Sequence, residues 1–168
     1  MQIEVEFLKI VAARFSAAFE RIGHAVSQLS DEQIWHRPSG SSNSVGIILQ
    51  HLWGNLHQWI YSGIGGHAFE RNRPAEFLEL NIVPKSELLI RINVLDKKVQ
   101  ETLSSLAPDS LLSHRRIQGF DETVMSALIA ALTHLELHTG QISFLTKLML
   151  DREYKVHWKP ANKEQGKE

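Results

Sequence analysis

Apolar residues recur every three to four positions along the first part of the chain, and this spacing places them on one face of an α-helix. The first such segment covers residues 3–29, and a capping-box pattern at residues 30–33 marks its end and opens a short helical turn. A proline, a glycine and several serines at residues 36–42 then indicate a loop. A second helix should begin at Asn43 or Ser44, either of which can cap it, and extend to about residue 62.

The same spacing returns in the second half of the chain. A third helix is predicted with Pro84 in its first turn and its end near residue 106. After a looser, more extended stretch at residues 111–120, Asp121 is predicted to cap a fourth helix that reaches about residue 150. None of these helices could bury its apolar stripe alone, so the pattern predicts an all-α four-helix bundle.

The connection between the second and third helices, residues 63–83, is glycine-bearing and long. Its length of roughly twenty residues is more than a tight helix hairpin needs. We therefore expect a crossover that makes helices two and three parallel neighbours. Residues 1–158 are predicted to form this single bundle domain, and residues 159–168 to be a disordered tail.

Composition narrows the class of function. The 18 basic and 19 acidic residues give a formal net charge of −1, so we expect no nucleic acid and no anionic membrane as partner. There is no run of about 18 apolar residues and the N-terminus does not resemble a secretion signal, so a cytoplasmic location is expected. The chain has no cysteine, and any metal must therefore be held by nitrogen or oxygen ligands.

His134 and His138 stand four residues apart on the fourth predicted helix and so share one helix face. Two imidazoles placed in this way can each bind a common metal ion at about 2.0–2.1 Å. The neighbouring Ala127, Ala130 and Ala131 leave room for an ion and a ligand. The chain contains nine histidines, so the spacing by itself is a weak signal, and two packed core histidines without a metal would fit it as well.

A metal site needs a third protein ligand, and His51 is the best candidate because it lies mid-helix beside apolar core positions at a similar depth. Three neutral nitrogen ligands leave coordination positions open, as in catalytic sites. Asn55 and Gln141 share the ligand-bearing faces and could orient a bound molecule. Glu136 should point away from the histidine pair, and His57 should face outward.

Two arginines in the crossover, Arg71 and Arg73, admit two interpretations. They could bind a carboxylate or another anion near the metal, since a guanidinium pairs with such groups bidentately. They could instead form ion pairs with the nearby Glu70, Glu76 or Glu79, which we slightly prefer.

Three segments taken together resemble the DinB-like superfamily: residues 43–55 with His51, residues 71–77, and residues 134–142 with the histidine pair. The resemblance covers about residues 1–158 and is closest to a bacterial subfamily of unassigned function. It implies an up-down-down-up four-helix bundle, often dimeric, with a metal held by His51, His134 and His138. Relatives include transferases and isomerases that use bacillithiol, mycothiol or glutathione, with zinc, nickel or similar ions.

The leading hypothesis is therefore a metal-dependent enzyme, of thiol S-transferase or hydrolase type, that acts on an electrophilic small-molecule substrate. The ion would be zinc or nickel, with manganese or iron as alternatives, and it would activate a low-molecular-weight thiol or a water. A homodimer is expected. A non-catalytic metal-binding or dimerisation module of a stress response is the alternative from another class, and a bundle without metal is the third.

Overall fold

The computed structural model describes residues 2–78 and 82–158, and its fold is mostly helical with one small β-hairpin. In chain order the elements are α1 (Gln2–Ser27), α2 (Asp31–Trp35), α3 (Val45–Leu56), α4 (Arg73–Glu76), α5 (Lys85–Ser105), β1 (His114–Ile117), β2 (Phe120–Thr123) and α6 (Val124–Leu150). The long helices α1, α3, α5 and α6 form the predicted four-helix bundle, running up-down-down-up. The tail predicted at residues 159–168 lies outside the described residues.

Local sequence signals explain two of the helix starts. Ser30 accepts a hydrogen bond from the backbone N–H of Gln33, whose side chain accepts one from the backbone N–H of Ser30, so the predicted capping box is present. Ser44 caps α3 by accepting from the backbone N–H of Ile47. Such caps satisfy donors that the first helical turn leaves without a partner.

The predicted cap of the fourth helix, Asp121, is wrong. Asp121 lies in β2, and Thr123 caps α6 instead by accepting a hydrogen bond from the backbone N–H of Ser126. Either residue type can cap a helix. Asp121 does not cap the helix because strand pairing keeps the residues up to Thr123 extended, and the helix begins only after them.

The hairpin that precedes α6 turns through two residues, Gln118 and Gly119. Both have positive φ angles, 53° and 86°. This combination belongs to the tight turn whose twist matches that of antiparallel strands. Residues 111–120, expected to be loose and extended, therefore contain an ordered β1 and the turn, preceded by a short 3₁₀-helix at Pro108–Leu112.

The second predicted helix does not stay α-helical to its end. After Leu56 it continues as a π-helix, His57–Ile64. The prediction that His57 faces outward is wrong, because only 2% of this residue is exposed. The crossover returns over this face, where the Phe69 ring stacks on the His57 ring at a centroid distance of 4.9 Å.

Apolar side chains from all four long helices meet in one core. Phe15, Ile22, Leu52 and Leu128 are among the side chains that this packing closes off from solvent. Both α1 and α3 pack against α5 and α6, so the histidine-bearing faces of α3 and α6 lie next to each other. Within the part of the chain that the structure describes, no helix is both long and apolar enough to cross a membrane.

Candidate metal centre

The contact between α3 and α6 brings His51, His134 and His138 together. One ring nitrogen from each lies within 4.8 Å of those of the other two. The Nε2 atoms of His51 and His134 are 2.9 Å apart. Two nitrogens that bind one ion at about 2.0–2.1 Å can be separated by no more than about 4.2 Å, so this pair fits a shared ion. The chain thus supplies three nitrogen donors at one point of the bundle.

Burial keeps these three imidazoles neutral. It lowers the pKa of each of them, and the pKa of His134 falls to about 4. A hydrogen bond from His51 to Glu76 and one from His138 to Gln141 oppose the effect at those two rings. A neutral imidazole is the form that offers a lone pair to a metal, so the rings are in the binding form at neutral pH.

Glu76 sets the orientation of His51. Its carboxylate Oε2 accepts a hydrogen bond from His51 Nδ1 at 3.0 Å, and both residues are more than nine-tenths buried. With its proton on Nδ1, His51 presents the Nε2 lone pair toward His134 and His138. Metal-bound histidines characteristically donate their other ring nitrogen to a carboxylate in this way. We did not predict this role, because the sequence places Glu76 in the crossover, far along the chain from His51.

Arg71 holds that carboxylate in place. Its Nε and Nη2 donate to the two oxygens of Glu76 at 2.6 and 2.7 Å, and only 4% of its side chain is exposed. Gln58 accepts a further hydrogen bond from Arg71 Nη1 at 2.9 Å. Arg71 therefore forms an ion pair with Glu76, one of the partners expected from the sequence.

Gly54 makes room for Glu76. A Cβ atom at this position of α3 would lie 1.9 Å from Oε1 of Glu76 and 3.1 Å from Nε of Arg71. Only a residue without a side chain allows the carboxylate to approach the helix so closely. A glycine inside a helix is a sequence signal for such a contact, although it does not identify the partner.

Gln141 plays the corresponding part at His138, accepting from its Nδ1 at 2.7 Å. It shares the histidine face, as expected, and its side chain bonds to the His138 ring. Glu136 pairs with Arg21 of α1 at 2.5–2.6 Å, which agrees with the expectation that it points away from the site.

A cavity of about 290 Å³ opens beside the histidines. Its lining consists of His51, Asn55, Trp59, Arg71, Arg73, Gln118, Ala130, Ala131 and His134. Ala130 and Ala131 leave the expected room next to His134, whereas Ala127 is buried in the core. Asn55 is nine-tenths buried, and its Oδ1 has no hydrogen-bond partner among the described residues.

The hairpin turn closes one side of this cavity. Gln118 donates from Nε2 to Oε1 of Gln58, the same atom that accepts from Arg71. A hydrogen-bonded chain therefore connects the hairpin through Gln58, Arg71 and Glu76 to His51. We did not predict Gln58 and Gln118 as part of the site, because the apolar spacing indicates neither the π-helix nor the hairpin that places them here.

Three solved structures have a similar fold. A DinB-like protein from Bacillus cereus is 17% identical, with 85% of this chain and 90% of that one covered and a TM-score of 0.67. A conserved protein from Enterococcus faecalis is 14% identical, with coverages of 85% and 96% and a TM-score of 0.69. A DinB-like protein from Bacillus subtilis is 17% identical, with coverages of 83% and 90% and a TM-score of 0.65. These similarities confirm the predicted DinB-like fold.

No curated protein matches the chain. Residues 2–163 match the family described as "Protein of unknown function (DUF1572)". That description agrees with the expected place of the chain in a DinB-like subfamily of unassigned function. The chain therefore belongs to the DUF1572 family and has the DinB-like fold.

Proposed function

We propose that this protein binds one divalent metal ion through His51, His134 and His138. The observation that carries the proposal is the convergence of three neutral imidazoles, one buried and two half-buried, of which two are oriented by Glu76 and Gln141. A set of nitrogen donors suits zinc or nickel first, with manganese or iron as alternatives.

The second part of the proposal is that the protein is a metal-dependent enzyme of thiol S-transferase or hydrolase type. When bound, a divalent ion lowers the pKa of a coordinated water or thiol toward 7 and so supplies a nucleophile at neutral pH. Three protein ligands leave coordination positions open, and the cavity beside His51 and His134 gives a small molecule access to them. Under this proposal the protein acts on an electrophilic small molecule. It also forms a homodimer with a second copy of the chain.

The side chains around the cavity bind and orient the reacting molecule. Among the described residues that line it there is no carboxylate. The carboxylate of Glu76, which bonds to the lining residue His51, is already paired with Arg71. The protein groups therefore hold the reacting molecule in place, while Ala130 and Ala131 leave space for it.

Elemental analysis of protein purified without added metal tests the first part. We expect one ion per chain in the wild type and its loss in His51→Ala and His134→Ala. His114→Ala is the matched control, since His114 lies on the hairpin with its side chain 62% exposed. Equal metal content in all four proteins would overturn the three-histidine site.

Turnover assays on the metal-loaded protein test the second part. Bacillithiol, glutathione and mycothiol are each offered with a panel of electrophiles, and hydrolysis is followed in parallel. Loss of turnover in His134→Ala is expected. A protein that holds the metal but turns over none of these mixtures would instead be the non-catalytic binding module.

A further inference from the structure

The two arginines of the crossover have different environments. Arg71 is buried, and its guanidinium bonds to Glu76 and Gln58. Arg73 is exposed, lines the same cavity, and pairs with no carboxylate among residues 2–78 and 82–158. Because the charges of Arg71 and Glu76 offset each other, Arg73 adds a positive charge to the cavity wall.

Arg73 also lies close to the histidines. Its guanidinium carbon is 5.3 Å from the centroid of the Phe77 ring, which is 5.2 Å from the centroid of the His51 ring. The Phe77 ring therefore lies against both Arg73 and His51, and these two residues line the same cavity. A molecule with a few carbon atoms is long enough to reach from one to the other.

The size and polarity of the cavity limit its ligand. About 290 Å³ is just below the usual range for small-molecule sites, roughly 300–1,000 Å³. Asn55 lies one helical turn after His51, and its buried Oδ1 has no partner among the described residues. A buried polar atom without a partner is unfavourable, so a ligand that brings a hydrogen-bond donor to this wall would be favoured.

We propose that this cavity binds a small carboxylate, whose carboxyl group pairs with Arg73 while its other end, a thiol or hydroxyl, faces the three histidines. The proposal rests on the proposed function, because the histidine-facing end is the one that the metal would activate. It identifies the substrate or thiol class as anionic and small.

Three thiols of similar size test the carboxylate. Mercaptoacetate and 3-mercaptopropionate carry the charge, and 2-mercaptoethanol replaces it with a hydroxyl group. Dissociation constants are measured on the zinc-loaded protein from amide signals in NMR titrations. We expect at least one of the acids to bind about tenfold more tightly than 2-mercaptoethanol, the ratio that about 1.4 kcal/mol from a charge-assisted hydrogen bond gives.

Variants show whether Arg73 is the source of that preference. Arg73→Gln should bring the ratio to within about twofold of unity, and Arg73→Lys should retain part of it, because a lysine keeps the charge but not the bidentate geometry. Arg152→Gln is the matched control, since Arg152 is exposed beyond the far end of α6. A preference that survives in Arg73→Gln would overturn the proposal, because the carboxylate would then be bound elsewhere, for example by the metal itself.

The two proposals fail in different ways. Zinc uptake by the wild type and by Arg73→Gln is measured before any thiol is added, and equal uptake is expected. Absence of zinc binding would contradict the proposed function, and acetate would then be titrated into the metal-free protein. Acetate binding that Arg73→Gln abolishes would support the carboxylate site, and binding that does not depend on Arg73 would overturn it.

Discussion

Replacement of Gly54 by alanine tests how the protein holds Glu76 beside His51. The new Cβ would lie 1.9 Å from Oε1 and 2.8 Å from Cδ of Glu76. Oε1 would have to move by about 1.5 Å to reach ordinary van der Waals contact. The carboxylate is not free to do so, because Arg71 holds both of its oxygens at 2.6–2.7 Å.

The expected loss is set by these contacts. Displacing the carboxylate breaks at least one charge-assisted hydrogen bond, worth about 1.5–3 kcal/mol. Alanine recovers about 0.5–1 kcal/mol through its better helix propensity. We therefore expect Gly54→Ala to lower the free energy of unfolding of the metal-free protein by about 1–2 kcal/mol. Because His51 also loses its carboxylate partner, zinc affinity should fall by about 10–100-fold.

Urea denaturation measures the first quantity, and competition against a chelating dye measures the second. Gly140→Ala is the control, since a Cβ there meets nothing within 4 Å although Gly140 lies two residues from His138. It should stabilise the protein by up to about 1 kcal/mol and leave zinc affinity unchanged. If Gly54→Ala behaves like Gly140→Ala in both measurements, Glu76 does not hold His51 in the way we describe.

Three further predictions concern single groups. Glu76→Gln should weaken zinc binding by about tenfold in the same competition assay, because a neutral amide is a poorer acceptor for the His51 N–H, and unchanged affinity would count against the carboxylate's role. Thr123→Ala should destabilise the protein by about 1 kcal/mol in urea denaturation, whereas Asp121→Ala should have little effect; the reverse order would place the cap at Asp121. The third concerns pH: the pKa of His134 is about 4 when folded and about 6.5 when unfolded, so below pH 6.5 the unfolded chain binds the extra proton. The free energy of unfolding of the metal-free protein should therefore fall between pH 6.5 and 4, by less than about 1.4 kcal/mol per pH unit for this group, and a His134→Gln variant that keeps the full slope would refute the assignment.

The long helices and the pairing of His134 with His138 could be predicted because their signals are local. The apolar spacing indicated all four long helices, and the Ser30 and Ser44 caps marked two of the helix starts. His134 and His138 share a face through helical geometry alone. His51 was predicted as the third ligand because it lies at a similar depth along its helix. The structure does bring the three rings together.

The parts that could not be predicted depend on residues far apart in the chain. Glu76 reaches His51 only because the crossover folds back over α3, where Gly54 leaves space. The same return of the chain buries His57, which helix geometry alone placed outside.

The sequence by itself determined where the four long helices lie and which side chains carry donor atoms, since both depend on residue type and on spacing within a turn or two. Only the tertiary structure decided which partner each group meets. Arg71 and Arg73 stand two residues apart with the same chemistry, yet one is buried against Glu76 and the other lines the cavity. That difference arises because burial and pairing are set by the path of the whole chain, and residue type does not specify that path.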